Sequence, residues 1–479
     1  MSEKLLTPDI CVIGGGSGGL SVAAAAATFG VPVVLVEKAK MGGDCLNYGC
    51  VPSKALIAAA KHAKCVADAS RFGMSVVPAA IDFAAVHAHV HRVIGSIAPT
   101  DSAARFSGLG VRVLKGHARF VDGETLAVED DLMIRARRFV IATGSSPMIP
   151  PIPGLAETPY LTNETVFDLT ECPRHLLIIG GGAIGLELAQ AFRRLGAAVT
   201  VVEAATPLSR SDPEAVATVL ATLRREGVVI RAGQPVKAVT PAAVPNGDVA
   251  LVVDTGEGED IITGSHLLVA VGRQPNVHDL GLDRAGIAFS SKGVSVDRGL
   301  RTTNRRVYAI GDATGGRQFT HVANYHAGLV IRNALFRLPV RVDERALPAV
   351  TFTDPELAQV GLTEIETEKQ GLPINVLRWP YLENDRARAE GETEGHIKVV
   401  TTRRGRILGA TIVGAHAGEL IATWTLAIGR KLGVGAFAGM TVAYPTRAEV
   451  GKRAAISFYG RSLTNPAVRR IITWLRYLG

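Results

Sequence analysis

The chain has 479 residues, of which 47% are hydrophobic and 20% are charged, as is typical of a globular protein with several domains. Its formal charge is +8, but the basic residues are scattered among 44 acidic ones, which disfavours nucleic acid as a partner and favours binding of anionic phosphates. The chain start lacks the pattern of a signal peptide, no stretch of roughly eighteen apolar residues follows, and five cysteines with one close pair do not make a disulfide scaffold. We therefore expect a cytoplasmic protein.

Residues 9–37 predict a strand, a glycine-rich turn, a helix and a second strand. The turn contains Gly14, Gly16 and Gly19 in the spacing G-x-G-x-x-G, and the second strand ends at Glu37. The first glycine permits a tight bend, the second lets the backbone approach a pyrophosphate, and the third lets the helix pack close to the strand. An acid at the end of the second strand accepts hydrogen bonds from a ribose. This segment is therefore predicted to bind a dinucleotide.

Cys45 and Cys50 lie in the run GGDCLNYGCVPSKAL, directly after this unit. Pro52 indicates that a helix begins near Cys50, and the positive end of that helix together with Lys54 would lower the pKa of the thiol. Structural zinc needs four ligands, and the next cysteine, Cys65, does not begin a second pair. Two unrelated buried cysteines are the other alternative. Beside a dinucleotide site, the pair is predicted to cycle between dithiol and disulfide.

Three histidines alternate in the stretch that follows, at His87, His89 and His91. The stretch is predicted to be helical, which would place His87 and His91 on one face. Two histidines without a third ligand do not make a zinc site. We therefore interpret them as solvated helix residues and predict no metal site.

A second glycine-rich unit follows at residues 177–203. Its glycines have the same spacing, and its second strand also ends in an acid, the four residues being Gly180, Gly182, Gly185 and Glu203. Residues 11–37 and 177–203 share 12 identical positions of 27, and in both units the acid follows the first glycine by 23 positions. Chance glycine-rich turns would not reproduce the distant acid. The chain is therefore predicted to bind two dinucleotides.

The two sites are predicted to hold different nucleotides. The first lies beside the cysteine pair, so its dinucleotide is expected to be the redox mediator. Glu203 in the second site would repel a 2′-phosphate, which favours NAD(H) over NADP. Arg210, in the loop that follows, would soften that preference.

Further motifs occur along the chain, namely VIATGSSP at 140–147, VAVGRQPN at 269–276 and VYAIGDAT at 307–314. Together with the cysteine run and the two glycine-rich turns, they stand in the order of one family. The chain resembles the class I pyridine nucleotide-disulfide oxidoreductases over essentially its whole length, and dihydrolipoamide dehydrogenase and the mercuric reductase core are the branches it is most similar to. The resemblance implies an α/β fold with two Rossmann-like dinucleotide-binding domains, for FAD and NAD, and a C-terminal α+β dimerisation domain.

The domain organisation follows from the same pattern. The IPPIPG linker opens the inserted nucleotide domain, and strands such as HIKVVTT and RILGATIVGA, with helices around 417–430 and 447–459, mark the last domain. The predicted segments are 1–150 for the first part of the FAD domain, 151–275 for the NAD(P) domain, 276–345 for the second part of the FAD domain, and 346–479 for the dimerisation domain.

The resemblance also implies catalytic roles. Cys50 would face the flavin, and Cys45 would face the substrate. Lys54 and Glu187 would pair near the flavin, where hydride arrives from the nicotinamide. In the last domain, Tyr444 and Glu449 would lie over the partner subunit's disulfide, so that the homodimer shares its active sites.

Two further sets of residues are implied to hold the cofactors. The FAD set consists of Gly14, Gly16, Gly19, Glu37, Lys38, Gly43, Asp44, Lys54, Ala118, Ala142, Thr143, Gly144, Gly311 and Asp312. The NAD set consists of Gly180, Gly182, Gly185, Glu203, Val236 and Gly272.

The chain departs from the family pattern at two positions. The family offers a histidine as the acid-base group in a His-Pro-x-x-x-Glu pattern, whereas this chain has Tyr444 there, and its last histidine is His416. Tyrosine, with an ordinary pKa of roughly 10, is a poor base at neutral pH. A tyrosine resembles the mercuric reductase branch, but the chain has no cysteine after Cys172 to hand in a metal ion. Asp44 stands where the family commonly has threonine.

These residues predict a flavoenzyme that passes electrons between NAD(H), FAD and a thiol or disulfide substrate, as dihydrolipoamide dehydrogenase does, with a lipoyl protein as one such partner. The alternatives are a metal-ion reductase of the mercuric or copper type, and a redox-regulated flavoprotein with slow turnover. No nucleic-acid partner is predicted.

The tail NPAVRRIITWLRYLG is predicted to be an amphipathic helix. Its apolar residues, Val468, Ile471, Ile472, Leu475 and Leu478, fall on one face, and its arginines lie elsewhere. Docking of this helix on the dimer and peripheral attachment to an anionic membrane are the two hypotheses.

Overall fold

The computed structural model describes residues 5–75, 80–129, 132–241, 248–460 and 465–478. Residues 1–4 and 479, which belong to the predicted chain start and tail, lie outside the described residues. The chain divides into two compact units, Met1–Ala204 with Gly233–Val342, and Ala205–Ala232 with Asp343–Gly479. The predicted boundaries of the FAD, NAD(P) and dimerisation domains stay a prediction.

The centre of the first unit is a parallel sheet of five strands. In spatial order the strands are Val307–Ala309, Arg138–Ile141, Ile10–Ile13, Val33–Glu37 and Val111–Lys115. Its inner strands are apolar along their length because a parallel sheet is covered on both faces, and Ile10, Val12 and Leu35 are fully buried. This sheet carries the first glycine-rich turn at the end of Ile10–Ile13.

The second glycine-rich segment, residues 177–203, belongs to another parallel sheet within the first compact unit. Strand His175–Ile179 lies between Ala198–Glu203 and His266–Val269. Smaller sheets flank the two parallel ones. One is an antiparallel sheet of three strands, Val236–Pro241, Val249–Asp254 and Glu259–Gly264. Another has four strands, in the order Leu5–Leu6, Leu132–Ile134, Leu126–Val128 and Ala118–Phe120. Two more are strand pairs, Ser145–Pro147 with Arg273–Pro275 and Phe289–Ser290 with Gly293–Val294.

Two helices follow the glycine-rich turns of the first unit, Ser17–Thr28 and Ala183–Arg194, as the sequence predicts. Small residues let the first of these pack closely: alanines and glycines form most of its buried face. The other α-helices of this unit are Gly43–Asn47, Cys50–Ala67, Phe83–Ile97, Ala103–Gly108 and Thr320–Ala334.

The second unit is built on an antiparallel sheet of five strands. Their order is Ala349–Thr351, Glu356–Gly361, Ile407–Gly414, His396–Thr402 and Ile374–Pro380. Its helices are Pro213–Arg225, Glu364–Lys369, Asp385–Ala389, Ala417–Gly429, Val434–Ala438, Glu449–Ser457 and Pro466–Leu475. Trp424 is buried and stacks on Phe437 in the core beneath the sheet. The strands and helices predicted for 346–459 are thus present.

Candidate functional site

The first glycine-rich turn is shaped to hold a dinucleotide. Gly14 has a φ of +110°, and a Cβ there would lie 2.3 Å from the carbonyl oxygen of Ala142. Gly43 has a φ of +59°, and a Cβ there would lie 2.7 Å from the Cα of Gly16. Both positions therefore require glycine. Glu37 closes the turn, since its carboxylate accepts hydrogen bonds from the backbone N–H of Gly15 at 2.5 Å and of Ala39 at 2.6 Å.

The second turn repeats this geometry. Gly180 has a φ of +114°, and a Cβ there would lie 2.4 Å from the carbonyl oxygen of Ala270. The Glu203 carboxylate accepts a hydrogen bond from the N–H of Gly181 at 2.7 Å, the counterpart of the contact between Gly15 and Glu37. The space around Gly182 is open within 4 Å of its Cβ position among the residues described.

The helices behind both turns begin without a side-chain cap. Gly16 and Gly182 are the N-caps, and neither offers a side chain to the N–H groups of the first helical turn. Such N–H groups need an acceptor, and a pyrophosphate at the positive end of the helix supplies one. The residues present thus fit FAD at the first turn and NAD(H) at the second.

The two cysteines differ in their surroundings. Cys45 lies in the helix Gly43–Asn47 and is half-buried, whereas Cys50 is the first residue of the helix Cys50–Ala67 and is exposed. Both are free thiols in this structure. The Sγ of Cys50 lies 3.3 Å from the hydroxyl oxygen of Thr320, which begins another helix.

The hydrogen bond between the thiols divides the pair into a donor and an acceptor. The Cys45 thiol donates to Cys50, and with smaller contributions from Thr320 and Lys54 this lowers the pKa of Cys50 to about 6, although neighbouring atoms that partly desolvate the sulfur oppose the shift. The same hydrogen bond, followed by burial, raises the pKa of Cys45 above its ordinary range. Cys50 is therefore the thiolate at neutral pH, and Cys45 holds its proton.

Lys54 and Glu187 form an ion pair between the two glycine-rich units. The Nζ of Lys54 lies 2.8 Å from Oε2 of Glu187. The Glu187 side chain is only 7% exposed and that of Lys54 37% exposed. A carboxylate this buried needs a cationic partner, so the pair links the cysteine helix to the helix that begins the second dinucleotide site.

A second cluster centres on the guanidinium of Arg273, whose side chain is 11% exposed. It donates to Oδ1 of Asp44 at 3.1 Å, to the hydroxyl of Ser145 at 2.8 Å and to the amide oxygen of Asn163 at 3.3 Å. Ser145 in turn donates to Oδ2 of Asp312 at 2.6 Å. The negative charge of Asp44 lies near the Cys50 thiolate and disfavours it. The buried guanidinium of Arg273 pairs with Asp44 and offsets this charge.

Asp312 lies in a turn that a buried histidine supports. The N–H of Gly311 donates to Nδ1 of His326 at 3.1 Å. Burial lowers the pKa of His326 to about 4, so the ring is neutral and Nδ1 is free to accept. Burial also raises the pKa of Asp312, against the hydrogen bond from Ser145 and the charge of Arg273.

The remaining predicted nucleotide-site residues lie near these turns or on neighbouring strands. The hydroxyl of Thr143 donates to the carbonyl of Asn276 at 2.7 Å, and Gly144 accepts from the N–H of the same residue at 2.9 Å. Lys38 is exposed beyond the end of its strand. Ala118 is buried at the start of one strand and Val236 half-buried at the start of another. Their predicted roles stay predictions.

Tyr444 and Glu449 lie in the second unit. The Tyr444 side chain is 70% exposed, and its hydroxyl donates to Oδ2 of Asp385 at 3.0 Å. The hydrogen bond and the charge of Asp385 raise the pKa of Tyr444 above 10.0. Glu449 is the first residue of a helix, where a carboxylate is favoured by the helix dipole.

Two of the three alternating histidines share one face of their helix. The rings of His87 and His91 are 4.2 Å apart on one helix, as predicted, and Nε2 of His91 lies 3.2 Å from the carbonyl oxygen of Phe167. Within the described parts of the chain no group of three or more His, Cys, Asp or Glu side chains is arranged to hold a metal ion.

Comparison with protein families identifies the architecture. The pyridine nucleotide-disulphide oxidoreductase model matches residues 8–327, and the dimerisation domain of that family matches residues 347–455. The chain belongs to the pyridine nucleotide-disulphide oxidoreductase family. Family membership confirms the predicted fold class, the flavoprotein oxidoreductase chemistry with its disulfide redox centre, and FAD and NAD(P)H as cofactors. The match to the dimerisation domain supports a homodimer.

Relatives in this family differ in substrate. The chain is 39% identical to a mercuric reductase of Streptomyces lividans over 94% of its length and 96% of that relative. It is 34% identical to a dihydrolipoyl dehydrogenase of Chlamydia muridarum over 96% of its length and 99% of that relative. The relatives thus share the family with this chain and differ from one another in the substrate that their names give.

Solved structures agree with this family. LpdA from Mycobacterium tuberculosis is similar with a TM-score of 0.86 and 27% identity, covering 94% of this chain and 99% of that one. The Cu(II) complex of the HOCl-induced flavoprotein disulfide reductase RclA from Escherichia coli has a TM-score of 0.83 and 28% identity, covering 93% of this chain and 98% of that one.

Among the helices of the described residues, none is long and apolar enough to cross a membrane.

Sequence reasoning missed the residues that support the site from a distance in the chain. Thr320 contacts Cys50, Arg273 holds Asp44, and His326 supports the turn of Asp312. Arg273 lies inside the motif VAVGRQPN, so the sequence indicated that this segment matters but not that Arg273 pairs with Asp44. Nothing in the local pattern signals Thr320 or His326, since both act only through contacts made by the folded chain.

Proposed function

We propose that this family member is an NAD(P)H-dependent reductase in which Cys45 and Cys50 deliver electrons to a soft metal ion. The observation that carries the proposal is the state of Tyr444, whose hydroxyl donates to Asp385 and whose pKa is raised by that contact. A phenol held in this way is protonated at neutral pH and does not serve as a base. Dihydrolipoamide oxidation, which needs a base to take a thiol proton, is therefore disfavoured.

Reduction of a metal ion and reduction of a disulfide differ in their proton balance. Reduction of a divalent metal ion to the metal takes two electrons, which leave NAD(P)H as hydride, and one proton is released to water. The released proton is that of the Cys45 thiol, which the metal ion displaces when it binds both sulfurs, and it passes to water without a further side chain to take it. Reduction of a disulfide also takes two electrons, but it consumes a proton as well as the hydride to form two thiols.

The chain's own residues have distinct tasks in this proposal. FAD, when bound, supplies two-electron transfer between the nicotinamide and the thiol pair. Cys50 is the thiolate toward the cofactor, and Cys45 is the thiol toward the acceptor. Two adjacent sulfurs are the ligand type that soft metal ions prefer. Lys54 and Glu187 keep the cysteine helix and the nicotinamide site in register.

Several likenesses support a metal ion as acceptor. The relative of Streptomyces lividans is named a mercuric reductase, and the similar RclA structure is a Cu(II) complex. Both names describe those proteins, and here they serve as reasons to test Hg(II) and Cu(II) first. For this chain, NADH is the proposed donor, because the carboxylate of Glu203, at the end of the second strand of its unit, would repel a 2′-phosphate.

The test is steady-state oxidation of NADH by the FAD-loaded dimer with Hg(II) as its thiol complex, Cu(II), lipoamide or glutathione disulfide. We expect turnover with a metal ion, and loss of about two orders of magnitude or more in Cys45→Ser and Cys50→Ser. Cys65→Ser is the matched control, since Cys65 is an exposed thiol at the far end of the same helix. Fast reduction of NAD by dihydrolipoamide, with metal ions inert, would overturn the proposal.

A disulfide is the second candidate acceptor. A protonated Tyr444 is a competent proton donor to a leaving thiolate, which disulfide reduction requires. Tyr444→Phe distinguishes the two candidates. Removing the hydroxyl should lower disulfide turnover by about tenfold or more but change metal turnover by less than about threefold.

A further inference from the structure

The helix Pro466–Leu475 leaves its apolar face uncovered. None of its residues is buried, and Ile471, Ile472 and Leu475 are 57%, 52% and 49% exposed. The helix is nonetheless well started, because Asn465 caps it by accepting from the N–H of Ala467 at 2.9 Å and Pro466 occupies its first position. The cap and the proline thus define where the helix starts, while its apolar side stays exposed.

One aromatic residue borders this apolar face, and a second follows the helix. Trp474 is 63% exposed and Tyr477, just after the helix, is 83% exposed. Such side chains, with an apolar ring and a polar tip, prefer the boundary between water and lipid. Exposure of these rings to water is unfavourable, and a contiguous exposed apolar patch on a protein is commonly a site that binds another surface.

The charges of this segment have one sign. Arg469, Arg470 and Arg476 lie away from the apolar face, and residues 465–478 contain no acidic side chain. At helical spacing the arginines flank the apolar stripe or lie opposite it, so that their guanidinium groups reach outward while the stripe faces a surface. A surface that is apolar inside and anionic outside complements this arrangement, as a bilayer with anionic headgroups does.

A second copy of the chain fits the segment less well. Two such helices brought together would place their arginines near one another with no acid of the segment to compensate. The family's dimerisation domain ends at residue 455, before this helix begins. The helix is thus an addition to the part of the chain that the family uses for dimerisation.

We propose that Pro466–Leu475 binds the surface of an anionic membrane with its apolar stripe in the interface. Ten helical residues span about 15 Å, half of a bilayer's apolar thickness, so the helix lies along the membrane rather than across it. Binding by one short helix is weak and reversible. A dimer would carry two such helices, and their combined binding exceeds that of either.

Flotation of the FAD-loaded, full-length protein with vesicles tests the proposal. We expect binding to vesicles that contain phosphatidylglycerol and none to pure phosphatidylcholine, with salt weakening it. Ile471→Asn with Leu475→Asn should weaken binding by about 100-fold. Thr473→Asn, on the polar side of the same helix, is the matched control and should bind as the parent does. Arg470→Gln with Arg476→Gln should lose about tenfold.

NADH oxidation and dimer mass are followed in parallel, so that a folding defect is recognised. Equal binding of the parent and the Ile471→Asn, Leu475→Asn variant would overturn the proposal. So would an absence of binding by the parent. Conversion of that variant from dimer to monomer would instead assign the apolar face to a second copy of the chain, which also overturns it.

Discussion

The low pKa of Cys50 depends chiefly on the hydrogen bond that Cys45 donates, and replacing Cys45 by alanine removes it. The fall of the Cys50 pKa from 9.0 to about 6 corresponds in full to about 4 kcal/mol in favour of the thiolate. Because Cys50 is exposed, solvent screening reduces this to about 2 kcal/mol. The thiol contact is the largest contribution, so Cys45→Ala should raise the pKa by about 1 or more.

Cys45→Ser is the matched control for this substitution. Its hydroxyl is also a hydrogen-bond donor, and it should keep the Cys50 pKa close to that of the parent. At pH 7 a thiol of pKa about 6 is about nine-tenths ionised, and one of pKa about 7.5 is about one-quarter ionised. The two variants should therefore differ about fourfold in thiolate fraction at neutral pH.

The assay is the pH dependence of iodoacetamide alkylation of the reduced holoenzyme, with the modified Cys50 peptide quantified by mass spectrometry. In the parent, fragmentation of that peptide separates Cys50 from Cys45, which lies on it too. The other thiols lie on other peptides, and of these Cys11 is buried and has a raised pKa. If the alanine and serine variants both titrate with the parent, the thiol contact is not the cause. The helix N-terminus and Lys54 would then carry the effect.

Three further predictions concern the supports of the site. Asp44→Asn keeps an acceptor for Arg273 but removes a charge that raises the Cys50 pKa, so the pKa measured by the same alkylation assay should fall, and a rise would contradict this. Lys54→Met leaves the carboxylate of Glu187 buried without its cation and should cost about 1–3 kcal/mol in urea unfolding, part of which Lys54→Met with Glu187→Gln should restore. The pKa of His326 in the folded protein is about 4, below its ordinary value of 6.5. Between these two pH values the unfolded chain binds more protons than the folded one, so the free energy of unfolding decreases as the pH falls from 6.5 towards 4. That loss should reach about 3 kcal/mol, and in His326→Gln the urea midpoint should depend less on pH in this window; an unchanged dependence would show that another group causes it.

Local patterns predicted the elements that carry their own signals. The two glycine-rich turns, their helices and their terminal acids were predicted because each glycine meets a requirement of its own turn, such as the positive φ of Gly14. The start of the cysteine helix was predicted from Pro52, which is favoured in the first turn of a helix, and the helix begins at Cys50. Lys54 and Glu187, 133 positions apart, were paired through the family resemblance rather than through any local signal, and they lie 2.8 Å apart.

The sequence by itself thus determined that two dinucleotides and a thiol pair share one chain, because spacing along the backbone encodes turns, helix starts and nearby charges. Only the tertiary structure decided what contributes most to the low pKa of Cys50, because that is a hydrogen bond between Cys45 and Cys50, joined by a contact from Thr320, 270 positions away. It likewise decided that Asp44 pairs with Arg273 and that the hydroxyl of Tyr444 donates to Asp385. A pKa is set by burial and by neighbours in space, and neither is written in the local order of residues.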